Sequence, residues 1–328
     1  PERARSIARA IVLAMCRLFG FRSSVPSRAH RSLVEAKNAL SLQAEQHQDG
    51  WGIGYFLGEE AYTLKSDAGA AEDERFQRVS ERLHSHTFVV HVRRATVGPI
   101  DHFNSHPFRY GAWIFAHNGT IWDFDKIADV LQEHTHPALR PLVFGTTDSE
   151  SFFYYLLSAL DDAGVSMDGR EEVDQQVATQ ALRDAVDRLY GWAEERGIDA
   201  PIANYILTNG RIFFAQRAGL DLHMATQKLS CRDFDVCAEP NKVCMDAAPA
   251  LQVPQGDATS GQTRPVNHLL VSSEPIGGED IWEEVPQGAM VVMGTDFRVS
   301  LQAGPPRFRV SPRMPLGRNP DARSVTSA

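Results

Sequence analysis

Apolar residues recur at three- and four-residue spacing over about 27–45, 71–84, 123–133, 149–162 and 173–196, the period of a helix with one buried face. Between these blocks lie short runs rich in β-branched and aromatic residues: Trp51–Leu57, Thr87–Val92, Trp113–His117, Asn204–Thr208, Arg211–Gln216, His268–Ser273 and Ala289–Met293. Such runs predict strands. Asn209-Gly210 between two of them predicts a two-residue hairpin. The strands come as hairpin-like neighbours separated by a few helical blocks, without regular strand–helix alternation, which predicts an antiparallel α+β sandwich. No repeat or low-complexity linker marks an internal boundary. From about residue 305 the chain is rich in Pro, Arg and Ser and poor in apolar residues, so 305–328 reads as a flexible C-terminal tail.

Composition narrows the class. With 33 basic and 42 acidic side chains the 328-residue chain has a formal charge of 33 − 42 = −9, which argues against binding nucleic acid or an anionic membrane. No run approaches the roughly 18 apolar residues that span a bilayer. Four cysteines are too few for a disulfide scaffold of this size, so a reducing, cytoplasmic setting is the expectation. The first residues carry Arg3, Arg5 and Arg9 before a short apolar run, Ile11 to Ala14. That run is shorter than the roughly 7–15 residues of an export signal. Residues 1–15 therefore read as a leader or upstream residues, with Met15 as the start and Cys16 as the first residue once they are removed.

An N-terminal Cys combines nucleophile and base, because its α-amino group can take the thiol proton directly or through water. Cys16 taken alone is equally a buried cysteine near a chain start. In HVRRATVG (His91 to Gly98) a strand ends in two arginines; Arg93 offers a planar fork for a carboxylate, or is a surface charge. In FAHNGT (Phe115 to Thr120), Asn118-Gly119 is either a turn or an oxyanion hole built from a side-chain amide and a backbone N–H. In TTDSES (Thr146 to Ser151), Asp148 either complements a helix dipole or holds a substrate ammonium.

Together these segments resemble a family. MCRLFG (Met15 to Gly20), DGWGIGYF (Asp49 to Phe56), HVRRATVG, NSHPF (Asn104 to Phe108), FAHNGT and TDSE (Thr147 to Glu150), in that order, look like the class II glutamine amidotransferases of the N-terminal-nucleophile type, above all their stand-alone members. VSSEPIGGEDIWEEVPQG (Val271 to Gly288) resembles the end of that domain. The resemblance implies a four-layer αββα sandwich of two antiparallel sheets over residues 16–304. It also implies Cys16 as nucleophile, Arg93 on the α-carboxylate of glutamine, Asp148 on its α-ammonium, and Asn118 with Gly119 as the oxyanion hole. The reaction implied is attack of the thiolate on the γ-carbonyl, loss of ammonia and hydrolysis of the γ-glutamyl thioester, with no cofactor. Arg94 stands where larger synthase members carry an aromatic residue. After Met293 the reading is of a tail only, so an ammonia-consuming domain of well over 100 residues is not expected. The expectation is therefore either ammonia delivery to a separate synthetase subunit or hydrolysis of glutamine or another γ-glutamyl amide, as in stand-alone relatives of thiol-histidine and glutathione metabolism.

Other patterns compete. Cys231, Cys237 and Cys244, with His223 near, are a candidate zinc loop, but gaps of five and six are not knuckle spacing, and unligated cysteines are the expectation. A non-catalytic regulatory subunit built on such a loop is the corresponding alternative function. His84, His86 and His91, or His102 and His106, lack helical i, i+4 spacing with a matching acid and read as ordinary histidines, with His106 shaping the substrate loop. DGWGIG has no Lys-Ser/Thr pair after it and runs into a strand, so it is not a phosphate loop.

Overall fold

The computed structural model describes residues 16–28, 33–34, 50–93, 103–229, 251–253, 263–277 and 279–312. Two antiparallel sheets of seven strands face each other. The first has the order β12 (Asp280–Glu284), β9 (His223–Lys228), β11 (His268–Ser272), β1 (Arg17–Arg28), β4 (His84–Val92), β2 (Trp51–Leu57), β3 (Glu60–Ser66). The second runs β10 (Thr263–Pro265), β14 (Arg298–Gln302), β13 (Met290–Met293), β8 (Phe213–Gln216), β7 (Ile202–Thr208), β6 (Trp113–Thr120), β5 (Phe108–Tyr110). Helix α1 (Glu74–Arg82) covers the first sheet; α2 (Ala128–Glu133), α3 (Asp148–Asp162) and α4 (Gln175–Glu195) lie with the second.

Strand periodicity of two produces the layering. In β6, Trp113 and Phe115 pack into the helical layer of α3 and α4, while Ile114 and Ala116 pack against the first sheet. In β1, Leu18 enters the core between the sheets and Phe19 and Phe21 point out toward Phe76 of α1. Helix α3 is buried almost all round, from Phe152 to Leu160, and so reads as an apolar run; α4 buries one stripe, Ala178, Ala181, Leu182, Ala185, Val186 and Leu189. Asp174 caps α4 by accepting from the N–H of Gln176 and Val177. The result is the four-layer αββα sandwich. Between the sheets, glycines permit close approach: a Cβ at Gly20 would lie 2.5 Å from the Phe213 ring, and one at Gly52 2.0 Å from the His106 carbonyl oxygen.

Three expectations change. β1 runs to Arg28, so positions 27–28 are strand rather than the start of a helix, and 29–32 and 35–45 of that expected helix lie outside the described residues. The Asn209-Gly210 turn spans four residues, 209–212, because Asn209 Oδ1 accepts from the N–H of Arg211 (3.0 Å) and Ile212 (2.9 Å), closing a wider loop with Gly210 at φ +82°. The first part of the expected tail is packed: Phe308 meets Tyr190 edge-on, Trp122 Nε1–H donates to Ser311 Oγ at 2.9 Å, and Arg307 pairs with Asp187. Residues 313–328 lie outside the described residues. Among the described residues no helix is long and apolar enough to cross a membrane.

Candidate functional site

One end of the first sheet carries Cys16 and Arg93. β1 begins, β4 and β11 end, and β2 begins there, as the pairs Arg17↔Val92, Trp51↔Val92 and Phe19↔Ser272 require. Cys16 stands one residue before β1, partly exposed and outside any disulfide. Alternation places it on the side of Leu18 and Gly20, which face the space between the sheets. Arg93 follows β4 directly; its N–H donates to Gly50 O at 2.8 Å, and it is only 4% exposed. It shares the inward parity of Val89, two pairs earlier on the strand.

Asn118 approaches from the second sheet. It has the parity of Ile114 and Ala116, so it faces the first sheet, and its Nδ2 donates to Ser273 Oγ at 3.1 Å across the gap. Ser273 follows β11 and binds the strand that carries the cysteine: its N–H donates to Leu18 O and its Oγ accepts from Leu18 N, both at 3.0 Å. Asn118 and Gly119 lie within β6, paired with Asn204 and Ala203, so this pair is not a turn.

Asp148 opens α3 and is buried. Its Oδ2 accepts from the Ile121 N–H at 2.6 Å, tying the helix start to the end of β6. On the outer face of β6, His117 reaches the same helix. Its Nε2–H donates to Ile202 O at 3.0 Å, since a carbonyl can only accept, and its Nδ1 lies 2.9 Å from Ser149 Oγ. Burial depresses the His117 pKa against the upward pull of Asp148. Ser149 Oγ–H donates to Asp148 Oδ1 at 3.1 Å, which links His117, Ser149 and Asp148 at the start of α3.

The surrounding loops are pinned to one another. Asn104 Oδ1 accepts from Thr146 N at 2.8 Å, and Glu150 Oε2 from Gly145 N at 2.6 Å, which fixes the approach to α3. His106 packs tilted against His91, centroids 4.3 Å and ring planes 42° apart. Its pKa is held well below the ordinary value by burial first, then by the charges of His91, His117, Lys65 and Arg93. Lys65 lies 5.1 Å above the Phe108 ring, and burial brings its pKa down to about 8 while Glu150 pulls the other way. The end of the sandwich thus holds a thiol, a buried guanidinium, a buried carboxylate and a side-chain amide, a set suited to a zwitterionic amino acid whose amide is attacked. Among the described residues no group of His, Cys, Asp and Glu is arranged to hold a metal ion.

Comparison with known proteins decides the family. The model of the class-II glutamine amidotransferases matches residues 15–315. The chain belongs to the class-II glutamine amidotransferases. A probable glutamine amidotransferase of Saccharomyces cerevisiae, DUG3, is 25% identical over 308 residues, 85% of this chain and 82% of that one. A γ-glutamyl-hercynylcysteine sulfoxide hydrolase of Mycobacterium tuberculosis is 42% identical over 74 residues, 22% of this chain and 32% of its own length. Among solved structures, a class-II domain protein of Silicibacter pomeroyi superposes with TM-score 0.57 at 17% identity, covering 89% of this chain and 99% of that one. That likeness concerns the fold.

Within this family member, Cys16, Arg93, Asn118, Gly119 and Asp148 all lie at the same end of the sandwich. His84 and His86 lie at the opposite end of β4, their Nδ1 atoms 3.1 Å from Arg82 O and 3.0 Å from Ser23 O. Arg94, His102, Cys231, Cys237 and Cys244 fall outside the described residues. Two residues carry more than their sequence context indicated. His117 was one letter of FAHNGT, and Ser273 one letter of a closing motif. Alternation was the available signal for Ser273, which shares its face with Leu269 and Val271 of the core between the sheets.

Proposed function

We propose that this family member is a cysteine-dependent amidohydrolase that cleaves the γ-amide of glutamine. Cys16, once it is the first residue, attacks the γ-carbonyl, its α-amino group taking the thiol proton. Asn118 Nδ2 and the Gly119 N–H receive the oxyanion. Arg93 grips the α-carboxylate, and Asp148 accepts from the α-ammonium. Collapse of the tetrahedral intermediate expels ammonia and leaves a γ-glutamyl thioester, which water hydrolyses to glutamate and free thiol. The observation that carries this reading is the shared inward parity of Cys16, Arg93 and Asn118 at one end of the sandwich, with Asp148 tied to the same strand end. The ammonia either is released or passes to a separate synthetase subunit, and a soluble cytoplasmic setting fits both.

A second reading has its own support. The mycobacterial relative named as a γ-glutamyl-hercynylcysteine sulfoxide hydrolase shares 42% identity over its matched segment, which favours a larger γ-glutamyl amide as substrate. The contacts to the glutamyl end are then the same, and only the leaving-group side differs. The test is glutamate release from glutamine and from a bulkier γ-glutamyl amide, by protein whose N-terminus is Cys16, beside Cys16→Ala. Turnover of either substrate that Cys16→Ala abolishes supports the mechanism, and the ratio of the two chooses the substrate. Equal turnover by Cys16→Ala refutes it.

A further inference from the structure

We infer that Ser273 is a positioning residue: its hydroxyl sets which arm of the Asn118 amide faces the reacting carbonyl. This rests on the assignment of Asn118 as an oxyanion donor. The two arms of an asparagine amide have nearly the same shape, so a half-turn about the last side-chain bond exchanges oxygen and nitrogen in place. In the orientation of the structure Nδ2 donates to Ser273 Oγ at 3.1 Å, and Oδ1 is buried with no hydrogen-bond partner among the described residues. That orientation wastes both ends of the group. It leaves a desolvated acceptor unsatisfied and turns an acceptor, not a donor, to the arm that Ser273 does not hold.

The partners of Ser273 favour the exchange. The Leu18 N–H, at 3.0 Å, occupies one lone pair of the hydroxyl, and the Leu18 carbonyl at 3.4 Å is a long, weak acceptor for its proton. With the amide turned, Ser273 Oγ–H donates to Asn118 Oδ1 over the same short span. Both hydrogens of Nδ2 then occupy the other arm, where a developing oxyanion needs them. The same hydroxyl holds Leu18, two residues from Cys16, so one group fixes the donor relative to the strand carrying the nucleophile. An alanine at 273 keeps the backbone bond from Ser273 N to Leu18 O but removes the acceptor and the orienting proton.

The experiment is a kinetic double-mutant cycle on the Cys16-started protein, with glutamine and a bulkier γ-glutamyl amide, using Ser273→Ala, Asn118→Ala and the double variant, with thermal unfolding of each. Burying Asn118 Oδ1 against a methyl group predicts a kcat loss of about 5- to 100-fold for Ser273→Ala, with KM within about twofold. The double variant is expected within about twofold of Asn118→Ala, because there is no amide left to orient. A kcat loss under fivefold overturns the proposal, as do losses that multiply in the double variant, which would place Ser273 in a separate structural role. Undiminished activity in Cys16→Ala measured alongside is a different failure, one that removes the oxyanion-hole reading itself.

Discussion

Gly119→Ala is a one-methyl change whose cost is readable from the geometry. Gly119 lies one pair from the end of the β6–β7 ladder, and a Cβ there would sit 1.9 Å from Ile202 O, 2.4 Å from His117 Nε2 and 2.8 Å from the Ile202 carbonyl carbon. The first and third atoms are backbone and cannot swing away. Either the two strands part locally, or the His117 ring gives up its 3.0 Å bond to the same carbonyl. Overpacking costs about 1–3 kcal/mol and the lost buried hydrogen bond about 1 kcal/mol, so the expected destabilisation is about 2–4 kcal/mol. At about 2–4 °C per kcal/mol that is a Tm lowered by roughly 5–15 °C. Gly58→Ala is the reference: its Cβ meets nothing within 4 Å, but φ is +61°, so strain alone should cost about 1 kcal/mol. Because Asn118 precedes Gly119 on the strand, turnover should fall further than the unfolded fraction accounts for, at temperatures where Gly119→Ala is still folded. Thermal unfolding and glutaminase assays on both variants test this. A Gly119→Ala protein that melts within two or three degrees of the parent and turns over normally would show that β6 and β7 tolerate the methyl, and that the close approach plays no part in holding the site.

Asp148→Asn keeps an acceptor for the Ile121 N–H but removes the negative charge offered to a substrate ammonium. A loss of about 10- to 100-fold in kcat/KM, mostly through KM, is expected, and unchanged KM would take the ammonium contact away from this residue. His268 is buried on β11, and burial, reinforced by Lys228, lowers its pKa to about 3. Its unfolded value is about 6.5, so between these limits only the unfolded chain binds the proton; stability is full above pH 6.5 and falls as pH drops. Urea unfolding between pH 4.5 and 6 should therefore give a slope shallower by about 1.4 kcal/mol per pH unit in His268→Gln than in the parent, and equal slopes would refute the assignment.

The parts of the fold legible in the sequence were those with a strong apolar signal. β2, β6 and β7 are continuous or alternating apolar runs, and α3 and α4 have clear helical spacing. β3, β12 and β14 went unread because they turn polar side chains to solvent: Glu60, Glu284 and Arg298 are exposed, and β3 and β12 are edges of their sheet. β1 alternates Phe with Arg and Gly, which weakens the run, although it is the centre of its sheet. The candidate residues were singled out by motifs that resemble the family, and the structure places them at one end of the sandwich, while their roles rest on the proposed function. The contacts of Ser273 and His117 depend on cross-strand and strand-to-helix register, which linear spacing does not encode. His117 reaches Ser149 on α3, and Ser273 reaches a strand 255 positions earlier in the chain.

The glycines between the sheets have a wider meaning. Gly20 and Gly52 are spacers whose missing side chains let the two sheets settle at their present separation, with Phe213 and the His106 backbone filling the room. The thiol belongs to one sheet and the amide that would answer it to the other, so the core thickness is also the gauge of the reaction gap. A methyl added deep in that core acts like a shim in a vice: it need not unfold the protein to move the jaws apart. On the proposed mechanism, turnover would then be tuned from inside the hydrophobic core, and the spacer glycines would be bound to the chemistry as tightly as the residues proposed to perform it.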